Sequence, residues 1–300
     1  MTLVPARSIP LPAHPAGGGF DHGDVDLQSG RVFVAHTAAG TVEVIDGERG
    51  LHSGTIPGCP EASGVLSAQE ERLVFVAARA AGKILVVDAM SGDVVKEVAV
   101  GPKPNGLAWD PRRKRLLVAD VQDFRARLVG VSAGAIVADT ALPGRPRWCV
   151  YDARADRFLV NIREPACVVV LAAGTAALQG TWPVSSAGPH GLDLDSEHGR
   201  AFAACDGGQV LALDLTTGGE LAGVAIAGVP DAIWYNAERA RLYVAIREPG
   251  VVDVIDTQEM RLAEELPTER GAHTTAFDRN RQLLYVFLPN SSRAAVYEET

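Results

Sequence analysis

The sequence predicts an all-β fold, a seven-bladed β-propeller, on three observations. A seven-residue phrase returns seven times, its period is that of a four-stranded blade, and each period holds four short strands with no room for helices. Pro104-Asn105-Gly106-Leu107-Ala108-Trp109-Asp110 is echoed from Pro146, Pro189, Pro230 and Ala272, so successive starts lie 42, 43, 41 and 42 residues apart. Looser copies begin near His22 and Glu61.

Each unit then repeats one internal order. The phrase is the first strand. After a hydrophilic turn comes an apolar run, often led by a basic residue, as in Arg31-Val32-Phe33-Val34-Ala35 and Arg241-Leu242-Tyr243-Val244-Ala245. The third run follows a short loop, as in Lys83-Ile84-Leu85-Val86-Val87-Asp88. The fourth alternates and is more polar, as in Val94-Val95-Lys96-Glu97-Val98-Ala99-Val100, which suits an outer edge strand.

The two ends complement each other. The seventh unit has only three strands, at about 272–278, 282–288 and 292–297, and the segment from Leu3 to Leu11 is available as the fourth. Pairing them closes the ring and removes two exposed sheet edges. Residues 1–300 therefore read as one propeller domain.

Composition bounds the function. At 47% hydrophobic and 22% charged residues the chain can bury a large core and keep a charged surface. A net charge of −9 argues against nucleic acid as the main partner, because phosphate binding draws on surplus Lys and Arg. No apolar run reaches transmembrane length and the start lacks the apolar core of a signal peptide, so a cytoplasmic protein with no membrane partner is expected. Cys59, Cys149, Cys167 and Cys205 are dispersed and read as buried free thiols, in keeping with a reducing compartment. Gly17-Gly18-Gly19 is not a phosphate loop, since no Lys-Ser/Thr follows it, and Gly-x-Ser-x-Gly and Cys-x-x-Cys-His motifs are absent.

The unit Pro-x-Gly-x-x-x-Asp, Arg-Leu-Tyr-Val-Ala, Val-x-Val-Ile-Asp resembles the YVTN repeat of bacterial β-propellers, a group that overlaps lactonase-like propellers. The likeness covers nearly the whole chain and is clearest at Arg241–Ala245 with Val252–Asp256. Length and blade number are also similar to the streptogramin lyases, metal-dependent cytoplasmic propellers. The resemblance implies the fold, and a lactonase-like or lyase-like activity as one of several functions that propellers host.

First strands line the central channel, so the residue after each Pro faces a shared funnel. In ring order these residues are His190, Asp231, His273, then His22 and Glu61, with Asn105 and Arg147 completing the circle. His22 and Glu61 each carry a one-residue ambiguity. Asp21-His22-Gly23-Asp24 holds an extra residue that a bulge would absorb, and a second register puts Ser63 in place of Glu61. Three imidazoles with carboxylates suit a divalent ion (Zn, Mn, Fe, Ni or Ca), with His22, His190 and His273 as ligands and Asp231 or Glu61 as general base. Asn105 and Arg147 would hold a substrate carbonyl or carboxylate, and Trp148, which replaces the phrase's Gly, would stack on a ring. Asp193 and Asp26 would orient a His ligand from behind. Ile162-Arg163-Glu164-Pro165 recurs as Ile246-Arg247-Glu248-Pro249, so Arg163 and Arg247, with His36, Arg79, Asp120 and Asp206 at equivalent places, add a second layer of substrate contacts.

The expected function is a metal-dependent propeller enzyme on a small molecule, most simply a lactonase-like hydrolase. A lyase or isomerase would need the same parts. A non-catalytic scaffold that recruits a ligand or protein is the competing class.

Overall fold

A computed structural model describes residues 2–15 and 19–299; Gly17 and Gly18 of the triglycine segment lie outside the described residues. Twenty-eight strands, numbered β1 to β28 in chain order, form seven four-stranded antiparallel sheets. They are the blades of a seven-bladed β-propeller. The innermost strands are β2 (Phe20–Asp26), β6 (Ala62–Ala68), β10 (Pro104–Asp110), β14 (Pro146–Asp152), β18 (Pro189–Asp195), β22 (Pro230–Asn236) and β26 (Thr274–Asp278). Each touches the next, and β26 returns to touch β2. The one helical element among the described residues is a single 3-10 turn, Arg79–Ala81.

Closure follows the sequence expectation. β1 (Leu3–Pro10) pairs antiparallel with β28 (Arg293–Glu299), matching Leu3 to Glu299 and Ile9 to Ala294. Leu3, Ile9 and Leu11 are buried, so the segment is anchored by side chains as well as by its ladder.

Seven apolar clusters fill the molecule, one between each pair of neighbouring blades. The apolar run of each second strand supplies their bulk. Phe33, Phe75, Phe202, Tyr243 and Tyr285 are fully buried there, and large-to-small changes at such sites cost about 2–5 kcal/mol.

Repeated polar contacts explain two letters of the repeat. The Asp that ends a phrase caps the following turn, as Asp110 Oδ1 does in accepting from the Arg112 amide at 2.9 Å. It also holds the basic residue that opens the second strand, as Asp152 holds Arg157 Nε at 2.9 Å. That basic residue reaches into the next blade. Arg31 Nη1 donates to Ala89 O at 3.0 Å, Arg200 Nη1 to Thr257 O at 2.6 Å, and Arg157 to Leu215 O.

All four cysteines are free and buried. Burial pushes the Cys59 and Cys205 thiols up to about 12, so neither is a nucleophile at neutral pH. No helix among the described residues is long and apolar enough to cross a membrane.

Candidate functional site

A bulge in the inner strands builds the funnel. In β14 the register steps from Pro146 opposite Ile162 to Cys149 opposite Val160, three residues against two, and five other inner strands carry an irregularity at the same place. The second residue of each phrase is thereby freed from the ladder at the channel mouth. The third is Gly in three blades for a steric reason. A Cβ on Gly64, Gly106 or Gly191 would fall 2.1, 2.3 or 2.4 Å from the backbone oxygen of Asn105, Arg147 or Asp231 in the next blade.

This shared bulge corrects two assignments. Because the extra residue is shared by six of the seven inner strands, β2 among them, that strand runs in phase from Phe20 to Asp26. Asp21, not His22, holds the second position in blade one, and Ser63, not Glu61, holds it in blade two. Glu61 sits in the preceding turn with φ of 51°, exposed and 3.6 Å from Lys103 Nζ, and does not line the funnel. His36 is also elsewhere. Its ring lies 4.8 Å from that of Phe20, and Nδ1 is 3.3 Å from Glu43, a carboxylate that also takes hydrogen bonds from Thr41, Thr55 and His52. It turns into the blade because Glu43, buried one strand away, needs donors.

The funnel has a volume of about 630 Å³ and is lined by Asp21, His22, Arg79, Asn105, Arg147, Trp148, Arg163, His190, Asp206, Asp231, Arg247 and His273, among others. Asp231 is its electrostatic centre. His190 Nε2 lies 3.1 Å from Asp231 Oδ1, and Nδ1 of the same ring lies 3.0 Å from Asp206. Burial disfavours charge on His190, but these two carboxylates outweigh it and push its pKa up to about 9. Burial likewise works against an ionised Asp231, and the charge of His190 overcomes it, holding the carboxyl well below the usual range. With a carboxylate beside each ring nitrogen, His190 is arranged to donate from both.

His273 is set up differently. Nδ1 donates to Gly271 O at 2.7 Å, which fixes the tautomer and leaves Nε2 as an acceptor, 3.7 Å from Asp231 Oδ2 and 3.1 Å from Arg247 Nη2. Asp21 faces it across the mouth, paired with Arg79 at 2.9 Å, and Arg79 also donates to Asn105. Asp21, Asp231 and His273 offer ligand atoms all within 4.8 Å of one another, the one such group among the described residues. Two carboxylates and one imidazole fit a hard or borderline divalent ion with open positions. Of the three histidines expected as ligands, only His273 belongs to this group. His22 is instead stacked on Trp148, ring centroids 4.2 Å apart and planes 28° off parallel, and burial pulls its pKa below the usual imidazole value. The pair spans the channel from blade one to blade four and lines both the funnel and a second chamber beneath it.

The arginines expected to contact substrate divide into two kinds. Arg163 is spent on Asp206 at 2.9 Å. Arg147 has no carboxylate within ion-pair distance among the described residues, its Nε is buried without a hydrogen-bond partner, and burial pulls its pKa down. Among the described residues, the Arg247 side chain donates only to His273. Asp120 bonds the Lys103 amide and Arg127 and stays out of the funnel. Asp26 caps its own turn through Ser29, and Asp193 bonds the amides of Leu194 and Tyr235, so neither orients a histidine. The principal residue that the sequence reading passed over is Asp21. Its signal was available, since counting back from the phrase-ending Asp26 puts it in register with Asn105.

No protein-family model and no curated protein sequence matches the chain, and the likeness to YVTN propellers rests on the repeat residues alone. Solved structures share the fold. A hydrazine synthase chain from Kuenenia stuttgartiensis superposes with a TM-score of 0.85 at 13% identity, over 96% of this chain and 97% of that one. A chain of the mitotic checkpoint complex gives 0.84 at 11% identity, over 98% of this chain and 91% of that one. Likeness at this identity establishes the seven-bladed propeller as the architecture of the chain.

Proposed function

We propose that the funnel binds a small anionic molecule and hydrolyses it with the help of a divalent ion, in the manner of a lactonase. The observation that carries this reading is Arg147, a guanidinium without a carboxylate partner that lines the same cavity as the Asp21, Asp231 and His273 group. A buried, unpaired donor is costly, and a carboxylate or phosphate from a ligand would satisfy it by charge-assisted contact.

Asp21, Asp231 and His273 would hold the ion. Bound there, it would supply Lewis-acid polarisation of a carbonyl and lower the pKa of water. Asp231 serves better as a ligand than as a general base, because its depressed pKa leaves it little affinity for a proton. His190, carrying protons on both nitrogens, holds Asp231 in place and offers positive charge toward an oxyanion. Arg147 and Arg247 would anchor the anionic end of the substrate, and the His22–Trp148 stack would form the floor on which its ring rests. A lyase or isomerase acting next to a carbonyl would use the same groups. The four reduced thiols fit a cytoplasmic setting.

A second reading, a non-catalytic anion-binding module, draws support from the cations already on each candidate ligand: Arg79 on Asp21, His190 on Asp231 and Arg247 on His273. Calorimetric titration of tag-free protein with Mn²⁺ and Zn²⁺, followed by proton-release assays on a panel of carboxylate-bearing lactones, separates the two. Stoichiometric binding that disappears in His273→Ala, with ion-dependent turnover, supports the hydrolase. Anion binding with no ion uptake supports the module.

A further inference from the structure

Below the His22–Trp148 stack the channel opens into a second chamber of about 340 Å³, which the hydrolase reading does not use. Its rim toward the opposite face is made by turn residues that follow the inner strands, including Glu70 and Arg279, both exposed. Its walls carry Trp109, Trp148, Tyr151, Trp234 and Phe277, five aromatic side chains contributed by four blades. Two carboxylates complete it, Asp24 from blade one and Asp193 from blade five.

These carboxylates are held in matching ways. Asp24 accepts from the amides of Val25 and Ser67, both at 2.8 Å, and Asp193 from those of Leu194 at 2.8 Å and Tyr235 at 2.7 Å. Each therefore takes one bond from its own strand and one from the next blade, so both are fixed in position. With Glu70 they outnumber Arg279, the one Lys or Arg lining the chamber among the described residues, and the balance there is negative. Two further polar atoms await partners. Ser67 is 5% exposed, and neither its Oγ nor the buried Trp109 Nε1 has a hydrogen-bond partner among the described residues.

We propose that this lower chamber is a binding site for a small organic ammonium ion that carries a hydroxyl or ether oxygen. Aromatic faces attract a soft, weakly hydrated cation through the ring quadrupole, and the two fixed carboxylates supply the compensating charge. The ligand oxygen would accept from Trp109 Nε1 and pair with Ser67 Oγ, satisfying both orphaned groups. Burial raises both carboxyls, Asp24 up to about 6, and an adjacent cation would favour their ionised form. The site shares the His22–Trp148 stack with the funnel but does not depend on the chemistry proposed there.

Three of the four tryptophans line the chamber, so intrinsic fluorescence reports on it directly. Choline chloride is the probe, and 3,3-dimethylbutan-1-ol, its neutral isostere, is the control. We expect saturable quenching by choline, at least tenfold weaker response to the alcohol, and at least fivefold weaker choline binding in Asp24→Asn/Asp193→Asn. Asp231→Asn, in the other chamber, should leave choline binding unchanged. Equal responses to choline and the alcohol, or no response to either, would overturn the proposal on wild-type protein alone, whether or not the double variant folds. Choline binding lost in Asp231→Asn but kept in the double variant would place the cation in the funnel and overturn it equally.

Discussion

Asp231 Oδ1 lies 3.1 Å from His190 Nε2, and that contact sets His190 apart from His273 in the funnel. With Asp206 on its other nitrogen, His190 faces a carboxylate from both, whereas His273 donates to Gly271 O from Nδ1 and keeps Nε2 as an acceptor, which Arg247 Nη2 meets at 3.1 Å. Nitrogen-15 NMR at pH 7.5 checks this. His190 should show two protonated ring nitrogens. A neutral His190 would remove the distinction.

Arg147 should behave as a binding residue and not as a structural one. Because its guanidinium makes no ion pair and its Nε is unsatisfied, Arg147→Met should leave thermal stability unchanged or raise it slightly, by up to about 1 kcal/mol. Affinity for an anionic ligand should fall at least tenfold. Loss of several degrees in Tm would instead assign Arg147 to the scaffold.

Asp253 gives a stability prediction with a definite sign. Its Oδ2 accepts from the Ala227 amide at 2.8 Å, but Oδ1 is buried and unpaired, and burial pushes the carboxyl up to about 6 from 3.8. The folded pKa lies above the unfolded value, so folding pays the full cost of ionisation above pH 6 and none below about 3.8. Asp253→Asn should therefore stabilise the protein at pH 8, by on the order of 2 kcal/mol, with the gain fading as pH falls through 6 toward 4. Denaturant titrations at the two pH values measure it, and a pH-independent effect would contradict the assignment.

Closure by the first strand predicts that Ile9, 1% exposed in the apolar cluster between blades seven and one, contributes as a core residue. Ile9→Ala should cost about 2–4 kcal/mol in urea unfolding. A cost under about 0.5 kcal/mol would mean that β1 is not needed to close the ring.

The fold was legible because its determinants are local and repeated seven times. Phrase-ending Asp caps a turn, a leading Arg bridges blades, and Gly is required where the neighbouring carbonyl packs, so each leaves a letter that recurs among the units. The funnel's membership was legible for the same reason at Asn105, Arg147, His190, Asp231 and His273. Blade one was misread because Asp21 and His22 are adjacent polar residues, and which of them occupies the second position depends on a bulge shared by six of the inner strands, invisible until paired strands fix the register. The stack of His22 on Trp148 and the spending of Arg163 on Asp206 are contacts between blades, and no pattern within a single repeat encodes them. His36 was drawn inward by Glu43, a charge buried in the neighbouring strand that periodicity treats as an ordinary strand residue.

The most direct test is anomalous diffraction from crystals grown with Mn²⁺, compared with crystals grown with chelator. The account predicts one strong peak within bonding distance of His273 Nε2 and of the Asp21 and Asp231 carboxylates, with Arg79 and Arg247 moved off those atoms. No peak in the funnel at millimolar Mn²⁺, or a peak coordinated by His190 or His22, would contradict it.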